Sequence, residues 1–123
     1  MKLIIAGSRG ITDQLALARA VLNSGFGDDI TEAVSGGARG VDRMGEDLAL
    51  DAGLPVRRFK PDWDAHGKRA GILRNEEMGR YADALLAVWD GKSRGTKHMI
   101  DYMKSLGKPV YVWRVDLGKG EVL

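Results

Sequence analysis

Short, wholly apolar runs alternate along this chain with stretches in which apolar residues recur every three or four positions. Leu3-Ile4-Ile5-Ala6 is such a run, and a strand apolar on both faces belongs in the middle of a parallel sheet covered by helices. Residues 31–35, 56–59, 84–89 and 110–115 continue the strand series. Between them lie helical stripes. Leu15, Ala18 and Leu22 form the first, capped by Thr12 or Asp13 and ended by Gly25 and Gly27. Val41, Met44, Leu48, Ala49 and Ala52 form the second, which stops at Gly53 before Pro55. A third helix is predicted from about residue 68 to 81, after a longer connection at 61–67. The fourth covers 96–106, with Met99, Met103 and Leu106 on one stripe and Gly107 and Pro109 closing it. Residues 117–123 read as a frayed tail.

Strand and helix in strict alternation imply α/β architecture: one domain over residues 1–123, with a five-stranded parallel sheet and helices on both faces. The expected strand order is 3-2-1-4-5. That order reverses between the first and fourth strands, and ligands bind at the carboxyl ends of strands beside such a switch point.

Three glycine-rich turns follow strands and open helices. They are Gly7-Ser8-Arg9-Gly10, Gly36-Gly37-Ala38-Arg39-Gly40 and Gly91-Lys92-Ser93-Arg94-Gly95. Glycine lets the backbone approach a ligand closely, and the dipole of the following helix favours an anion there. Each turn also carries an arginine, so together they suggest a phosphate site. The plain alternative for each is a tight structural turn. Gly91-Lys92-Ser93 is not the end of a Walker A loop, because Leu86 stands where that motif needs glycine. Ser8 reads as a phosphate contact, Ser93 and Thr96 as hydroxyl donors, and Asp42 as a helix-stabilising acid or a ribose ligand.

Arg74 shares a helical stripe with Gly71, Met78 and Tyr81, so it points inward or into a cleft and requires a partner: a ligand anion or an internal acid. Trp63 offers a surface for a base or a lid for the core, whereas Trp89 and Trp113 read as core residues. His66 and His98 have no metal-ligand spacing, and no bound metal or cofactor is expected.

Composition narrows the picture modestly. The absence of cysteine excludes disulfides, thiol nucleophiles and thiolate-bound metals; it fits a reducing compartment, and a cytoplasmic location is the expectation. A net charge of +2, without any run of Lys or Arg, allows nucleic acid as a partner but does not favour it. The apolar run at the N-terminus is too short to span a membrane.

Taken together, Gly7-Ser8-Arg9, residues 35–42, Asp62-Trp63, residues 67–71, Arg74-Asn75-Glu76-Glu77-Met78 and residues 89–96 resemble the SLOG superfamily. This Rossmann-like group joins DprA-type proteins and the LOG nucleotide phosphoribohydrolases, and its small stand-alone YspA-like branch is the nearest in pattern. The resemblance implies recognition of a nucleotide or nucleotide-derived ligand, with Asn75, Asp90 and the turn residues in the site. It also implies homo-oligomers and a place in bacteria–phage conflict, where NAD-derived signals are sensed. LOG enzymes carry a helix arginine and then a Pro-Gly-Gly-x-Gly-Thr-x-x-Glu motif. Aligning Arg74 and Gly95-Thr96 with these elements puts Met99 at the glutamate, and methionine can neither activate water nor stabilise an oxocarbenium-like centre. Asp101 lies roughly 200° further around the helix. Asp42, Asp90 and Glu77 are the remaining catalytic candidates.

Three functions follow as expectations. A protein that senses or sequesters an ADP-ribose-like ligand stands first, and sequestration needs no output domain. A phosphoribohydrolase stands second, and a single-stranded nucleic-acid binder third.

Overall fold

In the computed structural model, which describes Met1–Leu123, the chain runs β1 (Lys2–Gly7), α1 (Gln14–Ser24), β2 (Glu32–Ser35), α2 (Val41–Asp51) and β3 (Val56–Arg58). It continues through α3 (Trp63–His66), α4 (Ala70–Tyr81), β4 (Ala84–Trp89), α5 (Arg94–Ser105), β5 (Val110–Arg114) and β6 (Lys119–Val122). The strands form one sheet in the order β3-β2-β1-β4-β5-β6. β1 through β5 pair in parallel, as their apolar runs require, and the order reverses between β1 and β4 as expected. The fold is Rossmann-like α/β.

Two-residue periodicity divides the core into two layers. Ile4, Val34, Leu85, Ala87 and Val112 face α4 and α5, where Met78, Met99 and Met103 meet them. Leu3, Ile5, Ala33, Leu86 and Val88 face α1 and α2, against Leu17, Ala20, Val41 and Ala49. β1 and β4 are central because both of their faces are buried, and their register runs from Leu3 opposite Ala84 to Gly7 opposite Val88.

The sheet has six strands rather than five. The segment expected to fray turns back through Gly118 (φ +67°), and β6 pairs antiparallel with β5. Gly120 lies against the Tyr111 ring with no room for a side chain. Four residues of mixed polarity carry too little periodicity to announce such a strand.

The first helical stripe is also corrected. Leu15 and Leu22 are 67% and 82% exposed, while Ala16, Leu17 and Ala20 face the sheet. The alanines let the helix lie close to the strands, and Leu17 supplies the bulk. In α2 the outward-facing Leu48 leaves the stripe, Ala52 lies exposed at the C-cap, and the polar Asp42 and Glu46 take the buried face instead. In α5, Met99 and Met103 are buried, but Leu106, just past the helix as its C-cap, is 40% exposed. Trp63 begins the short helix α3, capped by the Asp62 carboxylate accepting from the Ala65 amide at 3.0 Å.

At the other end of α4, Lys108 donates from Nζ to the carbonyls of Gly79 (2.7 Å), Arg80 (3.2 Å) and Ala82 (2.7 Å). One ammonium thus satisfies the carbonyls that a helix C-terminus leaves open.

Candidate functional site

The site is built where β1 and β4 end side by side. The Ser8 amide donates to the Val88 carbonyl at 3.1 Å, and the Asp90 amide donates to Ser8 Oγ at 3.1 Å, which locks the two turns together. The first turn of α2 presses onto this junction. A Cβ on Gly7 would stand 2.8 Å from Val41 Cγ2, and one on Gly40 would stand 2.7 Å from the Ser8 carbonyl oxygen. Glycine at these two positions is therefore a demand of packing.

Several amides of the glycine turns are occupied. Gly37 N–H donates to Ser35 Oγ (3.0 Å) and Ala38 N–H to the Asp42 carboxylate (3.2 Å). Lys92 and Ser93 N–H both donate to Asp90 Oδ1, at 2.8 and 2.9 Å. Those bonds hold the Asp90 carboxyl below its ordinary range. Asp90 thus stabilises its own turn, and Ser8 is a strut, only 2% exposed, rather than a presented hydroxyl. The N-terminus of α2 has no side-chain cap behind Gly40, and α5 opens the same way. Its N-cap, Ser93, makes no capping bond, so the first-turn amides of the helix have no partner from the cap. Ser93, Gly95 and Thr96 line the cleft there, with Ser93 Oγ and Thr96 Oγ1 3.1 Å apart.

Arg74 reaches this point from α4. Its Nε donates to Asn75 Oδ1 at 3.1 Å and its Nη1 to the Gly36 carbonyl at 2.9 Å. Asn75 Nδ2 in turn donates to the Gly95 carbonyl at 3.2 Å and lies 3.3 Å from His98 Nδ1. One asparagine therefore couples the arginine to the opening of α5. Two of the five guanidinium N–H bonds are directed at these partners, and the rest remain for a ligand. Burial pushes the Arg74 pKa below its ordinary value, and the Asp42 carboxylate opposes that shift. Asp42 is 5% exposed. Burial raises its pKa to about 6, against the pull of the Ala38 amide, the Arg74 charge and the Gly7 amide. The two form no direct ion pair, and both line the cleft.

The cleft has two lobes. The first, about 410 Å3, is walled by Gly7, Ser8, Arg9, Asp42, Arg74, Asn75, Asp90 and the α5 opening, with Met78 and Met99 among its apolar lining. The second, about 350 Å3, is lined by Gly36, Gly37, Arg58, Lys60, Pro61 and Trp63. Arg9, Ala38 and Arg74 belong to both lobes.

Several expected residues stand elsewhere. Arg39, Arg94 and Glu77 are exposed and line neither lobe; Gly40 and Gly91 serve packing and turn geometry behind the wall. Asp101 is exposed and paired with Lys97 at 2.8 Å, away from both lobes. Arg58 and Lys60 were not anticipated. Arg58 ends the short strand β3 and Lys60 follows it, at the carboxyl end that borders the cleft, and that position is the signal for them. Arg58 is held by Glu46, with Nε 2.9 Å from Oε2.

No helix is long and apolar enough to cross a membrane. No solved structure matches this chain. It is 37% identical over 121 residues to the Gene 61 protein of Mycobacterium phage D29, covering 89% of this chain and 93% of that protein. Residues 1–66, which hold β1, β2, α2 and the first two glycine turns, match the model of the YspA, cpYpsA-related SLOG family. Family membership brings with it a link to nucleotide-related ligands. The chain belongs to the YspA, cpYpsA-related SLOG family.

Proposed function

We propose that this protein binds a nucleotide-derived ligand in the first lobe and holds it intact, as a sensor or a sequestering protein. An ADP-ribose-like molecule is the leading candidate. One observation carries the reading: a half-buried arginine with free donors is tied through Asn75 to an uncapped helix N-terminus. A phosphate there gains charge-assisted bonds from Arg74 and the amides of α5. The Ser93 and Thr96 hydroxyls stand beside it, and Asp42 is positioned to accept from a ribose hydroxyl.

Three of the positions expected to supply a catalytic group support binding without turnover. Met99 lines the lobe, and the resemblance to LOG enzymes puts it at their glutamate position. Asp90 is engaged with two amides, and Glu77 lies outside. A cytoplasmic homo-oligomer acting in bacteria–phage conflict is the setting we propose, in keeping with the phage origin of the relative.

Asp42 supports a second reading. A buried carboxyl with a pKa near 6 beside an arginine is suited to general-base work, which would make the protein a phosphoribohydrolase. A single-stranded nucleic-acid binder is the third reading, and the net charge of +2 gives it little support.

The deciding experiment incubates the protein with AMP, ATP, NAD, ADP-ribose and cyclic ADP-ribose, then identifies retained and free small molecules by mass spectrometry. Intact ligand in the protein fraction is the expected result. Free base or ribose phosphate in excess of the protein, abolished by Asp42→Asn, would make it an enzyme instead.

A further inference from the structure

Resting on that reading, we infer that the second lobe is a subsite for a second nucleoside, so that the preferred ligand is a dinucleotide-type diphosphate bridging both lobes. Four observations carry the inference.

The first is continuity. The lobes meet at Arg9, Ala38 and Arg74, so two guanidinium groups stand at the waist. The Asn75 link places one of them next to the α5 opening. A diphosphate fits this arrangement: one phosphate lies on the α5 amides and the next lies at the waist. A monophosphate would use only half of it.

The second is charge. Arg9, Arg58, Lys60 and Arg74 line the second lobe, and no acidic side chain does. Arg58 is neutralised by Glu46, but Arg9 and Lys60 make no ion pair within the chain. In the first lobe Asp42 and Asp90 offset Arg9 and Arg74. The remaining positive charge is the ammonium of Lys60, outward of the waist and on the far side of a bridging phosphate.

The third is the aromatic surface. Trp63 lines the lobe and is 53% exposed. Its Cη2 lies 3.8 Å from where a Cβ on Gly71 would stand, so the ring sits beside α4 while much of it stays open. An open indole at the edge of the lobe is a stacking platform for a planar base.

The fourth is where the path stops. Beyond Trp63 the surface is formed by Lys60, Pro61, Asp62, Trp63 and Asp64. A polynucleotide continuing past the indole would carry its next phosphate toward two carboxylates. A ligand that ends with the base on Trp63 avoids them. The geometry thus favours a finite dinucleotide over a single strand.

The test measures equilibrium affinities of the whole protein for AMP, for diadenosine diphosphate and for a short oligothymidylate. Wild type, Trp63→Ala, Lys60→Ala and Arg74→Ala are compared, with circular dichroism to verify folding. The expected pattern is a dinucleotide bound about tenfold or more tighter than AMP, the value of one base–aromatic stack. Trp63→Ala erases most of that advantage while affecting AMP much less, Lys60→Ala reduces it partly, and Arg74→Ala weakens both ligands. Equal affinity for AMP and the dinucleotide, or equal losses for both in Trp63→Ala, would overturn the second subsite and leave the proposed function standing. Oligothymidylate bound tighter than the dinucleotide, with a steep salt dependence, would overturn it in favour of nucleic acid. If neither AMP nor the dinucleotide binds wild type, the proposed function fails and this inference with it.

Discussion

The two lobes of the cleft are built on opposite principles. In the first, polar groups hold one another: Ser8 ties two turns, Asp90 tethers its own loop, Asp42 holds the Ala38 amide, and Asn75 links α4 to α5. Little there can move without breaking a buried bond, and such bonds are costly to leave unmade. In the second, side chains stand in solvent and Lys60 has no partner within the chain. The first lobe is preorganised and part of the fold; the second is an exposed rim that can change without disturbing it. Removing a first-lobe group that holds a buried bond, such as Ser8, should therefore cost stability, whereas removing the unpartnered Lys60 of the second lobe should cost only binding.

The largest effect is expected at Gly7. A Cβ there would collide with the Val88 carbonyl and with Val41, and backbone cannot give way as a flexible side chain does. Gly7→Ala should lose about 3 kcal/mol in denaturant unfolding, at the upper end of overpacking costs. If it unfolds like wild type, the strand junction is not the rigid element described here.

Asp42→Asn comes next, and its sign is unusual. Burial raises the folded pKa to about 6 from 3.8, so the native state holds its proton more tightly than the unfolded chain does. Stability should therefore fall as pH rises from about 4 to about 6 and carry that cost above it. Asp42→Asn should remove the decline and gain roughly 1–3 kcal/mol at pH 8, the scale of such a shift. Unfolding midpoints across pH 4–8 measure it; a variant that parallels wild type across the range would contradict the assignment.

Ser8→Ala should cost about 1 kcal/mol, since the Asp90 amide loses its acceptor. Lys60→Ala should fall within about 0.5 kcal/mol of wild type, as surface substitutions do. A large loss of stability at Lys60 would show that the second lobe is also structural and would erase the contrast.

Much of this was legible in the sequence because the apolar runs are short and unambiguous. A strand apolar at every position, such as Leu3–Ala6, leaves few places in an α/β sheet, and the glycine turns mark its carboxyl edge. Arg74 was legible for a related reason: a charge on an apolar stripe must meet something. Helix phase was not legible in α1, where alanine-rich spacing fits two faces equally and tertiary packing chose Ala16, Leu17 and Ala20. β6 depends on a turn and on one glycine beneath Tyr111, which no periodicity reports. The roles of Ser8 and Asp90 were hidden because a residue type at a turn says which bonds it can make, not whether the fold or a ligand receives them. Arg58 and Lys60 escaped notice because they lie at the end of a strand of three residues at the sheet edge.

The central claim is that Arg74, tied to the opening of α5, holds the phosphate of an intact nucleotide-derived ligand. Equilibrium binding of ADP-ribose to wild type and Arg74→Ala, with the recovered ligand checked by mass, tests it most directly. The account expects wild type to retain unaltered ADP-ribose and Arg74→Ala to bind it at least tenfold more weakly. Equal affinity in the two proteins, no binding to wild type, or ligand recovered in pieces would contradict it.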